Sequence, residues 1–277
     1  MRRVIAGMLG AALIGVWALL PRDQPSAVSV RPLDITRPAV IFLGGSEGGY
    51  LNANPLYRKL RSQHTGIAEL AYFSFEGGPQ HLREVEINAI ADQIASFESN
   101  PECLAIVGVS KGAELALLLA SHFDLSVATV AVVPSNVVWQ SPQVSLLPRS
   151  SWALEGQAVP FLRYDMVSIR AIRAALDYNN ALALHEAAIA ASADGSAEIP
   201  VEDISQQVLL QAATRDQIWP SVAMSRQVVR RANANGRAGV FTLKVYDHDH
   251  YLLSNRNAVD DLAAFLRRQL SDCKVGD

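Results

Sequence analysis

Between Ala39 and Leu270 the chain alternates short apolar runs with longer stretches whose apolar positions recur at helical spacing. The runs at 39–43, 67–73, 104–107, 126–133, 208–212 and 240–246 are rich in Val, Ile, Leu and Ala and carry few charges. Such continuous runs predict strands buried on both faces, because an exposed face would impose an alternating pattern. Helices are predicted near 55–63, 82–98, 111–122, 221–234 and 258–270. Strand following helix in this way predicts a mostly parallel sheet with helices on both faces.

The alternation breaks from Asn136 to about Ser205, a span too long for a plain connection. It carries Trp139, Trp152, Phe161, Tyr164, Met166 and Tyr178, and its Ala-rich stretch 181–193 predicts a helix. Residues 136–205 are therefore expected to form an inserted cap, with Trp139 and Trp152 as candidate substrate-binding residues. The alternative is an ordinary insertion whose aromatics make their own small core.

Ahead of the first strand, Val4–Leu20 is unbroken in apolar residues behind Arg2 and Arg3 and ends at Pro21-Arg22-Asp23. A run apolar on every face suits lipid or the export machinery better than one side of a domain. Residues 1–21 are thus expected to be a signal peptide or an uncleaved N-terminal membrane anchor. The positive residues should stay on the cytoplasmic side and put the rest in the periplasm or another extracytoplasmic space. Polar residues 22–37, with Pro25 and Pro32, are expected to form a linker to a domain at 38–272.

Composition narrows the function. With 50% hydrophobic and 18% charged residues the chain can build a core. A net charge of −3 without Lys/Arg runs excludes nucleic acid as a partner. Cys103 and Cys273 have no metal-ligand neighbours at usable spacing, so no metal is expected. Cys103 opens an apolar strand and Cys273 lies in a polar tail, so two free thiols are the expectation.

The strongest chemical signal is Gly108-Val109-Ser110-Lys111-Gly112, set between the strand at 104–107 and the helix at 111–122. A nucleophile on a tight strand-to-helix turn needs small residues two positions either side, and the helix N-terminus favours negative charge there. Serine also needs a base and an orienting carboxylate, in the order Ser, acid, His. Asp216 follows the strand at 208–212, and His250 follows the last strand in Tyr246-Asp247-His248-Asp249-His250-Tyr251. His248 competes as the base; His250 is preferred because it lies deeper in the loop, beside Tyr251-Leu252-Leu253. Asp247 and Asp249 should be solvated or pair with Arg256. The glycine-rich Gly44–Gly49 loop can aim N–H groups at an oxyanion, from Ser46 or Glu47, with the second donor from the N–H of Lys111. It lacks the endings of a nucleotide-binding loop.

Together GGSEGG (44–49), GVSKGAELALLLAS (108–121), PSNVVW (134–139), Ser151-Trp152 and AEIPVEDISQQVLLQAATRDQIWPS (197–221) resemble the C-terminal catalytic domain shared by acyl-CoA thioesterases and the bile acid-CoA:amino acid N-acyltransferase. The resemblance implies an α/β-hydrolase fold and a triad on Ser110, Asp216 and His250, with no metal or organic cofactor. In that family Ser at the nucleophile position goes with hydrolysis and Cys with transfer to an amine, so hydrolysis of an acyl thioester or ester is expected. The alternatives are an acyltransferase and a membrane-tethered binding module without chemistry. The stretch ahead of Ala39 is not expected to hold the immunoglobulin-like domain of animal members.

Overall fold

The computed structural model describes residues 28–34, 39–62, 65–97, 103–143, 147–165, 167–177, 180–192 and 195–273. The apolar run 4–20, most of the expected linker, and Met166 and Tyr178 of the insertion lie outside the described residues. Among the described residues no helix is long and apolar enough to cross a membrane.

Among the described residues the central sheet has seven strands: β1 (Ser29–Asp34), β2 (Ala39–Leu43), β3 (Gly66–Ala71), β5 (Leu104–Val109), β6 (Ala128–Val132), β9 (Gln207–Ala213) and β10 (Phe241–Tyr246). Their order is β1-β3-β2-β5-β6-β9-β10, parallel throughout except for β1, which runs antiparallel to β3. Helices α2 (Ile87–Phe97), α3 (Lys111–His122) and α6 (Ser221–Ala234) pack on one face, α1 (Asn54–Arg61) and α7 (Arg256–Gln269) on the other. Side chains alternate between these layers. Ile41, Leu43, Leu104 and Ile106 enter the first core, and Val40, Phe42, Ala105 and Val107 the second. Both layers are apolar, so these strands show no polar face, as their sequence predicts.

Strand β1 corrects the linker expectation, since residues 29–34 belong to the sheet. It is an edge strand, where Pro32 is tolerated, and its register shifts between Pro32 and Asp34. Arg31 binds Glu69 in the middle of β3, where the N–H of Asn52 (2.6 Å) and the Tyr57 hydroxyl also donate to the fully buried carboxylate.

A second correction concerns the cysteines. Cys103, at the amino end of β5, and Cys273, just past α7, form a disulfide with Cα atoms 5.3 Å apart. Helix α7 returns along the sheet from the end of β10 and brings the polar tail to the start of β5, which the separation of 170 residues hides.

The insertion holds β7 (Trp152–Leu154), β8 (Gln157–Ala158), α4 (Ile169–Leu176) and α5 (Leu182–Ala191). Its β7 pairs with β8 and with β4 (Val85–Glu86) in a three-stranded sheet. The predicted helix at 181–193 is α5, whereas α4, capped by the Ser168 hydroxyl on the Ala171 N–H at 3.2 Å, was not anticipated from its pattern.

Candidate active site

Ser110 follows the last residue of β5 and caps α3 with φ +56° and ψ −116°. A non-glycine residue there is strained, and the surrounding structure has to hold it. The neighbouring glycines allow the turn. A Cβ on Gly108 would sit 2.0 Å from the Gly112 carbonyl oxygen, and one on Gly112 2.3 Å from those of Leu43 and Gly44. The G-x-S-x-G spacing is thus set by backbone meeting backbone.

Asp216 leaves the end of β9 and His250 the end of β10, so all three groups stand at the carboxyl ends of parallel strands, where loops converge. His250 Nε2 lies 2.9 Å from Ser110 Oγ, and His250 Nδ1 lies 2.9 Å from both oxygens of Asp216. The carboxylate can only accept, so Nδ1 carries the proton and Nε2 is free to accept from the serine hydroxyl. Asp216 is held in turn by the N–H groups of Ile218 (3.0 Å) and Trp219 (3.3 Å). All three side chains are buried.

His248, the competing base, turns elsewhere: Nδ1 pairs with Asp249 at 3.0 Å and Nε2 lies 3.3 Å from the Ser254 hydroxyl. Asp247 is solvent-exposed, as expected, and pairs with Arg215 (2.8 Å) rather than Arg256, because the loops after β9 and β10 run side by side and put Arg215 alongside. Asp249 accepts the N–H of Tyr251 as well as pairing with His248.

The glycine loop after β2 runs against Ser110, a Cβ on Gly45 falling 3.3 Å from that of Ser110. Gly45 N–H is already given to the Glu47 carboxylate at 3.0 Å. Ser46 and Glu47 follow in the same turn. Lys111 is the first residue of α3, where an N–H has no partner within the helix.

Sequence reasoning missed a buried polar cluster under Ser110. Lys111 Nζ lies 2.6 Å from Glu114 Oε1, and both side chains are excluded from solvent. The same oxygen accepts from Trp152 Nε1–H at 2.7 Å and from the Trp139 N–H at 3.3 Å. Burial pushes the Lys111 ammonium down and the Glu114 carboxyl up from their ordinary pKa values, and the attraction between them opposes both shifts. The spacing Lys-x-x-Glu within one helical turn was the only available signal.

Trp139 and Trp152 are not exposed to a ligand, which corrects their assignment as substrate-binding residues. Both are completely buried. Trp152 packs on Tyr72, and Trp139 stacks with Tyr164 and Trp219. The T-shaped contact of Trp219 with His250, at 5.7 Å, joins this aromatic cluster to the site. Behind it, between α5 and α6, lies a cavity of about 630 Å³ with Val137, Leu162 and Met224 on its apolar wall and Glu186 and Arg230 among its polar residues. Among the described residues no cluster of His, Cys, Asp or Glu could hold a metal.

The family model for BAAT / Acyl-CoA thioester hydrolase C terminal matches residues 90–253, from α2 to just past His250. The chain belongs to this family. Among its relatives, the mitochondrial acyl-coenzyme A thioesterase 2 of Rattus norvegicus is 25% identical over 223 residues, which is 78% of this chain and 45% of that protein. Acyl-coenzyme A amino acid N-acyltransferase 2 of the same species is 28% identical over 109 residues, 38% of this chain and 26% of that protein. The chain thus spans less than half the length of these relatives. Among solved structures, an esterase of Pyrococcus furiosus matches with a TM-score of 0.58 at 14% identity, covering 88% of each chain. The 2,6-dihydroxy-pseudo-oxynicotine hydrolase matches with a TM-score of 0.56 at 18% identity, covering 93% of this chain and 68% of that one. These likenesses establish the α/β-hydrolase fold.

Proposed function

We propose that the protein is a serine-dependent hydrolase of acyl thioesters or carboxylic esters that works through an acyl-enzyme. The observation that carries this reading is the unbroken relay from Ser110 Oγ through His250 to Asp216. In this reading Ser110 Oγ attacks the acyl carbonyl carbon while His250 Nε2 takes its proton. Asp216 keeps the imidazole in the required tautomer and stabilises it once charged. The carbonyl oxygen gathers negative charge and is met by the Lys111 N–H and an N–H of Ser46 or Glu47. Collapse of the tetrahedral intermediate breaks the bond to the thiolate or alkoxide, which leaves with the proton from His250. Water then attacks the acyl-enzyme with His250 as base, and the acid is released as Ser110 regains its proton.

The relatives' names point to acyl-coenzyme A thioesters as the substrate class to try first. The N-acyltransferase relative favours a second reading, in which an amine replaces water as acceptor. An N-acyl product formed at the expense of free acid in the presence of amines would decide for it.

The test of the first reading is a series of p-nitrophenyl esters and acyl thioesters of graded length, with fluorophosphonate labelling of the wild type and Ser110→Ala. The variant should keep its fold, lose the label and lose at least about a thousandfold in turnover. Label or turnover persisting in Ser110→Ala would sink the assignment.

Export completes the proposal. It is supported by Arg2 and Arg3 ahead of the apolar run, and by the Cys103–Cys273 disulfide, a bond that persists in oxidising compartments. An export-dependent reporter fused after residue 37 should be active outside the cytoplasm; activity confined to the cytoplasm overturns it.

A further inference from the structure

We infer that Glu114 is a positioning residue of the oxyanion hole, holding the Lys111 N–H and the glycine loop in one frame through Lys111, Trp152 and Tyr72. The inference rests on the serine-hydrolase reading. Lys111 follows the nucleophile directly, and its side chain runs inward to Glu114 Oε1 instead of out to water. A buried ion pair is a poor source of stability, because apolar residues of the same volume usually serve as well. One residue from the nucleophile, its value lies in fixing geometry.

The single oxygen Glu114 Oε1 draws together three pieces of backbone: the first turn of α3, the segment at Trp139 that follows β6, and β7 at Trp152. The Trp152 indole carries the link onward. It packs on the Tyr72 ring with centroids 5.4 Å apart, and the buried Tyr72 hydroxyl donates to the carbonyl oxygen of Gly44, where the glycine loop begins. Lys111, Glu114, Trp152, Tyr72 and Gly44 therefore form one chain of contacts from the helical donor to the loop donors. Neither carboxylate oxygen of Glu114 touches a member of the relay, so its effect on the reaction has to pass through position. A donor displaced by a fraction of an ångström still folds and still binds substrate, but it meets the oxyanion badly.

The experiment compares Glu114→Ala, Glu114→Gln and Trp152→Phe in the full chain. Active sites are counted by fluorophosphonate labelling carried to completion, and kcat and KM are expressed per active site. Affinity for a trifluoromethyl ketone, which forms a tetrahedral adduct on Ser110, reports the oxyanion hole separately. Glu114→Ala should lower kcat about 30- to 100-fold with KM within about threefold, and ketone affinity should fall in parallel. Glu114→Gln keeps an oxygen for Trp152 and Trp139 and should recover most of that loss. Trp152→Phe keeps the ring contact with Tyr72 but lacks the indole N–H, and should lose about threefold or more. Per-site kcat and ketone affinity unchanged in Glu114→Ala overturn the inference, as does an unchanged Trp152→Phe if the alanine variant fails to fold. A wild type that resists fluorophosphonate indicts the serine-hydrolase reading instead.

Discussion

Breaking the Cys103–Cys273 bond should weaken the fold while leaving the chemistry alone. The bond closes a loop spanning 170 residues. Freeing a loop of that length raises the entropy of the unfolded chain by the equivalent of about 5 kcal/mol at 25 °C in the chain-entropy model. Residual structure in the denatured chain reduces this, so Cys273→Ser or reduction should cost about 3 to 5 kcal/mol. For a domain of this size that is a fall of about 6 to 20 °C in melting temperature. Cys103 and Ser110 are separated by the whole of β5, six residues at about 3.3 Å each, so the site lies about 20 Å from the bond. Thermal and urea unfolding, with and without reductant, measure the first effect, and kcat per titrated site at 25 °C measures the second. The reasoning is refuted if melting is insensitive to reductant in the wild type, or if kcat per folded molecule falls before the protein unfolds.

Two further predictions follow from the histidines. His250→Ala should abolish turnover about as thoroughly as Ser110→Ala, whereas His248→Ala should cost less than about threefold, because only the imidazole of His250 reaches Ser110; the reverse ranking moves the base to His248. His185 donates from Nδ1 to the Ala181 carbonyl and faces the Tyr164 hydroxyl with Nε2, and burial lowers its pKa to about 4. The unfolded chain takes up this proton near pH 6.5, so His185 has its full effect on stability above that pH and loses it as pH falls towards 4. That amounts to about 1.6 kcal/mol between pH 6.5 and 5, and unfolding free energies at the two pH values should converge in His185→Phe by about this much; equal slopes in both proteins would contradict it.

What the sequence revealed and what it hid divide along the range of the constraint. The inner strands were legible because burial on both faces leaves only apolar residues in β2 and β5, a local property of each run. Ser110 was legible for a similar reason, since contacts at 2.0 and 2.3 Å between would-be side chains and backbone admit only glycine at 108 and 112. Where a long-range partner decides, the same letters mislead. Ser29–Asp34 reads as linker because its reason for being a strand is Glu69, 38 residues past Arg31. Cys103 and Cys273 read as free thiols because only the return of α7 brings them together. The two tryptophans show the limit most clearly. An indole identifies a site that excludes water, but a substrate and a protein core exclude it equally well, and the sequence cannot say which one Trp139 and Trp152 face. The partner that settles it for Trp152, Glu114, was itself disguised. A Lys and a Glu three residues apart look like a solvated helix surface, and only the burial of every residue from Lys111 to Ala120 turns that ordinary pair into a contact beneath Ser110. Helix α3 is buried from Lys111 to Ala120, and a charge pair in the first turn of a helix covered in this way calls for a search for buried partners.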